Sequence, residues 1–443
     1  MESKKAIECY FTLGGINYKN GFSTSCPQQP EQFVPFEQTL KPSEIFNSER
    51  FKKHRLEMMN GKWSRGCHLC RDPEMIGSHS MRQDYVPVTN YYDPATGAVD
   101  LKGLRHVELR FSNSCNMACK HCSVVYSSGW VSKLKHYQPD AEVEKHNLLQ
   151  LLKMEHRQHE NDEGELGLSI AEAESIVQDL IDNFPELEKV EFAGGEVLYQ
   201  KQFFPCLKKL AEHPNAENIS IGFHTNFNAK FDPVELSKLL IPFKFTIIHM
   251  SLDAGTNIYP YFRTGNWETL KDNISKFRAV NKRAVLSIVC TTSAYQIMDI
   301  KNVFQSFLEL DVDTINSAMC YSPMYINPSI MNIKFREDVL ADIEETRQMI
   351  LDEQEKRYAD FEKYKELRAW KSKWNRFNDI HMALNALKEI EIYTLNNAID
   401  SSYWEDFQVY VRKTDEIWGQ QFNDYMTNYK MVDGKIVRVK KNV

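Results

Sequence analysis

Residues 115–122 read CNMACKHC, the most informative stretch of the chain. Cys115, Cys119 and Cys122 form a CxxxCxxC pattern just after the apolar run 106–111. Three thiolates this close can bind three corners of an iron–sulfur cube and leave the fourth iron open to a substrate or cofactor. A structural zinc site needs four protein ligands. His121 is the remaining nearby candidate, and we expect a spectator there because it lies inside the turn.

A second motif follows another strand-like run. Residues 189–196 read KVEFAGGE, an alternating apolar stretch that ends in Gly194, Gly195 and Glu196. The two glycines allow the backbone to approach a ligand closely, and the Glu196 carboxylate can pair with an ammonium group.

Together, the two motifs resemble those of the radical S-adenosylmethionine (SAM) superfamily. The resemblance implies a [4Fe–4S] cluster on Cys115, Cys119 and Cys122, with SAM bound to its open iron. It also implies that a Gly-Gly-Glu segment, here 194–196, holds the amino group of SAM. The implied fold is α/β, a partial (β/α)6 barrel in which the cysteine loop follows the first strand.

The middle of the chain alternates in the way that such a barrel requires. Strand-like runs lie at 106–111, 189–193, 217–226, 245–254, 283–292 and 314–321. Helical patterns lie at 200–212, 233–240, 267–281 and 296–309, and another begins after a capping box at Ser169 and Glu172. Strands joined by helices predict a parallel sheet with right-handed crossovers, and its sites collect at the carboxyl ends of the strands.

Polar residues stand at two more of these strand ends. Ser251 and Asp253 end the fourth run, where a hydroxyl and a carboxylate can bind ribose hydroxyls. Asn226 ends the third run and is a candidate polar group of the same pocket. Arg263 precedes Thr264 and Gly265, and the resemblance implies that it meets the SAM carboxylate or the substrate; a surface ion pair is the alternative.

The N-terminal cysteines form a separate set. Cys67 and Cys70 form a CxxC, and Cys9 and Cys26 flank a glycine-containing turn that predicts a hairpin. The segment resembles the SPASM and twitch domains of radical SAM proteins, which implies a second [4Fe–4S] cluster on these four thiolates. The order departs from those families, where this domain follows the barrel. A zinc knuckle at the CxxC and two unrelated core thiols at Cys9 and Cys26 remain alternatives.

The chain divides, on this interpretation, into three regions. Residues 1–100 form a small N-terminal cluster-binding domain, 101–330 form the barrel, and 331–443 form a helical C-terminal region. The aromatic residues of the last region are expected to bury against the barrel, with a substrate lid as the alternative. Residues 139–167 predict a solvated polar insertion, and the basic run 435–441 predicts a solvated tail. The isolated Cys206, Cys290 and Cys320 are expected to be buried apolar thiols.

Composition restricts the classes of partner. The formal net charge of −7 gives no electrostatic footprint for nucleic acid, and no apolar stretch predicts a membrane span or a signal peptide. Ten unevenly clustered cysteines in a cytoplasmic protein indicate metal binding rather than disulfides.

The resemblance implies an oxidoreductase that takes electrons from a donor such as flavodoxin or ferredoxin. It would cleave SAM to a 5′-deoxyadenosyl radical and oxidise or cross-link a substrate by hydrogen abstraction. We expect a peptide or an amino-acid-derived substrate. The alternatives are a dehydrogenase of a small sugar or nucleoside and a non-enzymatic iron–sulfur or zinc scaffold.

Overall fold

The computed structural model describes residues 5–19, 21–29, 33–146, 167–364, 370–397 and 399–439. No side chain from 358 to 378 is described. The chain forms two compact units. The first contains 1–114, 166–223 and 235–246, and the second contains 115–165, 224–234 and 247–443. Each unit is a mixture of helices and strands.

The first unit is built on strands in the spatial order Val34–Pro35, Phe22–Thr24, Gly15–Lys19, His106–Arg110, Lys189–Ala193 and Ser220–Thr225. The first three strands pair antiparallel, and the rest are parallel. Gly21, with φ of 81°, supplies the left-handed turn of the hairpin that the sequence predicts between Cys9 and Cys26. Because Gly15–Lys19 pairs with His106–Arg110, the N-terminal segment and the first predicted barrel strand share one sheet.

The first unit also contains helices. They are Tyr10–Gly14, Pro42–Ile45, Glu49–Met59, His68–Met75, Ile170–Asn183, Phe203–Leu210 and most of Pro233–Leu240. Short 3-10 turns lie at Arg65–Cys67, Met81–Asp84, Leu101–Gly103, Val197–Tyr199 and Ala216–Asn218. The capping box predicted at Ser169 and Glu172 is confirmed, since each side chain bonds the other residue's backbone N–H.

The second unit contains the parallel strands Phe245–Ser251, Val285–Thr292 and Thr314–Met319. Its helices are Ser128–Leu134, Ala141–Lys145, Tyr259–Phe262, Trp267–Val280, Ala294–Ile297, Ile300–Leu308, Met331–Tyr364, Trp370–Asn396, Ser402–Trp418 and Phe422–Tyr425. Short 3-10 turns lie at Met324–Ile326 and Pro328–Ile330. Ile248 and Met250 are fully buried while the alternate residues of their strand are half-buried or exposed, so one face of the strand packs and the other stays open.

The predicted strands and helices of the barrel region are confirmed with small shifts at their ends. The strand predicted at 217–226 begins only at Ser220 because 216–218 form a 3-10 turn. Cys206, Cys290 and Cys320 are buried, as predicted. The parallel strands confirm the α/β class, whereas the closure of the strands into a partial barrel stays a prediction.

The basic tail differs from its prediction. Lys435–Arg438 is a strand paired antiparallel with Tyr429–Val432. Ile436 of this hairpin is buried, and the Arg438 guanidinium donates two hydrogen bonds to the Asp342 carboxylate. The basic composition of the run therefore did not indicate that it forms a strand. Most of the polar insertion predicted at 139–167 lies outside the described residues. No helix among the residues described is long and apolar enough to cross a membrane.

Candidate functional site

The cysteine loop, residues 115–122, belongs to the second unit. Cys119 is buried, and Cys115 and Cys122 are half-buried. Burial, together with the neighbouring Cys119, raises the pKa of the Cys122 thiol to about 12. Several thiolates close together in a buried environment are energetically unfavourable unless a cation neutralises them. The three thiols therefore fit a bound group that carries positive charge and binds sulfur.

Arg263 is buried beside the loop. Its guanidinium pairs with the Asp253 carboxylate, and the two side chains are 6% and 1% exposed. Burial alone would lower the pKa of Arg263, but the Cys119 thiolate and Asp253 raise it above its ordinary value. The ion pair is therefore buried, which distinguishes it from the surface pair that was the alternative for Arg263.

Asp253 uses both of its carboxylate oxygens within the protein. One oxygen accepts the Thr291 backbone N–H at 2.6 Å, and the other faces Arg263 and His121 Nε2, which lies 3.5 Å away. The His121 ring stacks on Phe262 at 5.0 Å between centroids. Asp253 thus links the loop to the neighbouring strand end, and its predicted contact with ribose stays a prediction.

Asn226 also contacts the cysteine loop. Its side-chain amide donates to Asn116 Oδ1 at 2.8 Å, and its oxygen accepts the Asn228 backbone N–H at 2.8 Å. Asn116 in turn donates to the Asn228 carbonyl at 3.3 Å. The predicted strand-end residue is thus placed against the loop, by a partner that the sequence did not single out.

Two histidines lie on the open face near this strand end. The rings of His224 and His249 stack with centroids 4.7 Å apart. His249 stands two residues before Ser251, which is half-buried at the end of its strand. The sequence gave no signal for this stacking.

Gly194, Gly195 and Glu196 belong to the first unit. Gly194 has φ of 116°, and a Cβ on Gly195 would lie 2.4 Å from the carbonyl oxygens of Asn113 and Ser114. The glycines are thus required for the close packing of this turn on residues 112–114. The Glu196 carboxylate is buried and accepts the Leu198 backbone N–H at 3.0 Å.

The four N-terminal cysteines, Cys9, Cys26, Cys67 and Cys70, line one cavity of the first unit, which we call the four-thiol cavity. Burial raises the pKa of Cys26, and its three companion thiols raise it further against a backbone bond from Gln28. The sequence grouping of these residues is therefore matched by their position around one cavity.

Arg82 is a lining residue of the four-thiol cavity that the sequence did not single out as a partner of the cysteines. Its guanidinium pairs with the Glu74 carboxylate. Hydrogen bonding to Glu74 raises the pKa of Arg82, with contributions from Cys9 and Cys70. Each set of cysteines thus has a guanidinium close by.

Within the described part of the chain, no group of three or more His, Cys, Asp or Glu side chains converges on the position of a single metal ion. A [4Fe–4S] cube makes no such demand, because each thiolate binds a different iron.

Comparisons with known proteins were made for sequence and for structure. No match was found among curated proteins. The solved structure "Native anSMEcpe with bound AdoMet" aligns at 18% identity and a TM-score of 0.34, over 50% of this chain and 53% of that one. A second, Streptococcus suis SuiB bound to precursor peptide SuiA, aligns at 12% identity and a TM-score of 0.31, over 57% of this chain and 52% of that one. The alignments thus cover about half the length of each of these proteins.

The sequence also matches a family model directly. Residues 109–295 match the model described as the Radical SAM superfamily, and this range includes the cysteine loop, the Gly-Gly-Glu turn, Asp253 and Arg263. Residues 109–295 of this chain are therefore a Radical SAM superfamily domain.

Proposed function

We propose that this chain is a radical SAM oxidoreductase that abstracts hydrogen from a peptide or an amino-acid-derived substrate. The observation that carries the proposal is the cysteine loop, in which three thiols of a Radical SAM superfamily domain lie beside a buried guanidinium. A [4Fe–4S] cluster on Cys115, Cys119 and Cys122 would supply the electron that splits SAM into methionine and a 5′-deoxyadenosyl radical.

The residues around the loop have roles that follow from their contacts. The Arg263 guanidinium places a permanent positive charge next to Cys119, which favours the thiolate that iron requires. Asp253 holds that guanidinium and the neighbouring strand together. Both side chains are buried, so they also keep water away from this side of the loop.

The residues proposed to bind SAM are those of the sequence motifs. Glu196 pairs with the ammonium group, aided by the Gly194–Gly195 turn, and Ser251, Asp253 and Asn226 provide polar contacts. For Asp253, a ribose contact would be additional to its ion pair with Arg263.

The four-thiol cavity is proposed to hold a second [4Fe–4S] cluster. Four half-buried thiols around one cavity match the four ligands of a closed cube, and the Arg82 guanidinium offsets part of their negative charge. A closed cluster has no open iron, so its proposed role is to accept the electron left on the substrate after hydrogen abstraction. A ferredoxin or flavodoxin would then serve as the external donor.

The fold alone does not determine the substrate, because function resides in the site. The proposed substrate class therefore rests on the resemblance to the SPASM and twitch relatives. A peptide or amino-acid derivative is placed first, and a small sugar or nucleoside second.

One experiment tests the reaction class. The full chain is reconstituted with iron and sulfide without oxygen, and iron, sulfide, zinc and 5′-deoxyadenosine formed with dithionite and SAM are counted. We expect about eight irons per chain, from two four-iron clusters, and formation of 5′-deoxyadenosine. Bound zinc with no 5′-deoxyadenosine would support the scaffold alternative instead.

A further inference from the structure

The carbonyl groups of the cysteine loop are bonded by side-chain ring donors. Trp418 Nε1 donates to the Ala118 carbonyl at 2.9 Å, and Trp130 Nε1 donates to the Cys119 carbonyl at 2.8 Å. The Tyr410 hydroxyl donates to the carbonyl of Lys120. Three successive carbonyls of the loop therefore have buried aromatic donors, all within the second unit.

Two backbone N–H groups of the same loop are also bonded. Ala118 N–H donates to the Thr264 hydroxyl at 3.0 Å, and Lys120 N–H donates to the Phe262 carbonyl at 2.9 Å. Thr264 has φ of 61°, a left-handed conformation that is rare for a β-branched residue and persists where the surroundings impose it. The loop between Cys115 and Cys122 is thus fixed from two sides by hydrogen bonds.

Two of the three ring donors come from the helix Ser402–Trp418, which we call the aromatic helix. Tyr410, Thr414 and Trp418 are spaced four residues apart, so they lie along one face of it. Between the two rings, Thr414 Oγ1 and Asp415 Oδ1 lie 3.2 and 3.4 Å from the buried Lys120 ammonium. One helix face therefore binds both the backbone and the side chain of Lys120.

We propose that the aromatic helix is a positioning element for the cysteine loop, with Tyr410 and Trp418 as its positioning residues. A loop that must order itself when it binds metal loses conformational entropy at that step, whereas a loop already held by neighbouring donors has lost it on folding. The helix fixes the loop in the conformation in which the three thiolates receive a cluster. This inference rests on the proposed function, because it assigns a purpose to the loop that the cluster would occupy.

A plain packing role for the same helix makes a different prediction. The Tyr410→Phe substitution removes one hydroxyl and keeps the ring, so packing alone would leave the loop unaffected. If the hydrogen bond positions the loop, the same substitution leaves a buried carbonyl without its donor and frees the Lys120 peptide. Trp418→Phe removes the other donor and keeps an aromatic ring.

The experiment compares the Tyr410→Phe, Trp418→Phe and double variants of the full chain with the wild type. Trp404→Phe is the matched control, because Trp404 is buried in the same helix and its ring packs on Phe335 and Phe407. Cluster-free protein is studied by hydrogen exchange of residues 115–122. Reconstituted protein is studied by iron release to a chelator and by electron paramagnetic resonance with and without SAM.

We expect faster exchange across 115–122 in both single variants and roughly tenfold faster iron release in the double variant, since two buried hydrogen bonds are lost. The resonance signal that responds to SAM is expected to weaken or shift, and Trp404→Phe is expected to match the wild type. Tyr410→Phe keeps the ring, so it carries the test if the double variant does not fold.

Two negative results have different meanings. Folded variants that exchange, release iron and respond to SAM as the wild type does would overturn the positioning role and leave the proposed function intact. A wild-type protein that takes up no cluster would remove the proposed function, and the positioning role with it.

Discussion

The two sets of cysteines differ in how the protein holds them. The cysteine loop has three thiols on a short segment whose peptide groups are bonded on both sides, by 262–264 and by the aromatic rings. The four thiols of the four-thiol cavity are far apart in sequence, between residues 9 and 70, and they line one cavity. In the function proposed here, the three thiols of the bonded loop would serve chemistry at an open iron, whereas the four thiols around the cavity would hold a closed cluster.

The arginines beside the two sets of cysteines also differ, in how deeply they are buried. Arg263 beside the loop is buried with Asp253, and neither side chain is more than 6% exposed. Arg82 beside the cavity pairs with Glu74 at 21% and 13% exposure, nearer to solvent. The positive charge at the loop is therefore less screened by water, which would suit the water-excluding site of the proposed function.

The largest expected effect comes from removing a ligand of the cysteine loop. Changing Cys115, Cys119 or Cys122 to Ala leaves two thiols where three are needed, so 5′-deoxyadenosine formation with dithionite and SAM should fall to background. About four irons per chain should remain in the cavity. Cys206→Ala, a buried cysteine in neither set, is the control. Normal SAM cleavage in a loop variant would show that the open iron is elsewhere.

The next effect separates the second set from the first. The double variant Cys67→Ala, Cys70→Ala should lose about four of about eight irons and open the segments that line the cavity to protease, because those segments would lose the metal that joins them. SAM cleavage without substrate should persist, and substrate turnover should fall much further. A double variant that keeps all its iron and activity would show that these cysteines hold no second cluster.

Local patterns in the sequence were sufficient for much of this fold. The strand runs, the capping box at Ser169 and the N-terminal hairpin all depend on neighbouring residues, and each is confirmed. The joining of Gly15–Lys19 to His106–Arg110 depends on pairing across about ninety residues, and nothing in the local pattern specifies it. The hairpin at 429–438 was not predicted for a related reason, since its Arg438 pairs with Asp342, which is far away in sequence.

The candidate site was predictable to a similar extent. The cysteines and Gly-Gly-Glu have diagnostic spacings, so the sequence proposes them as site residues, and their roles stay predictions. Tyr410 and Trp418 stand at ordinary helical spacing, which predicts burial but does not indicate which carbonyl a ring N–H or O–H will reach. His249 and Arg82 likewise become recognisable only when their neighbours are known.

A third prediction compares the two ion pairs. Asp253→Asn leaves the buried Arg263 without its carboxylate, and breaking a buried pair in this way costs about 3–5 kcal/mol of the free energy of unfolding. Glu74→Gln should cost less, because water can reach Arg82. Asp272→Asn, from an exposed pair with Lys276, should cost about 0–1 kcal/mol and is the control. Urea unfolding of the cluster-free chain measures all three, and equal losses for Asp253 and Glu74 would contradict the contrast drawn between the two sites.

The smallest expected effect concerns Glu196. Its carboxylate accepts the Leu198 N–H, and we propose that it also pairs with the SAM ammonium. Glu196→Ala should weaken SAM binding by about 1.5–3 kcal/mol, or roughly ten- to a hundredfold, the value of a charge-assisted hydrogen bond. Glu196→Gln separates the two roles, because the amide oxygen can still accept from Leu198 but carries no charge. Calorimetric titration of the reconstituted protein with SAM should show weaker binding for both variants. If Gln restores wild-type affinity, Glu196 acts by shaping the turn; if Ala in a folded protein also binds normally, Gly-Gly-Glu is only a tight turn after the strand.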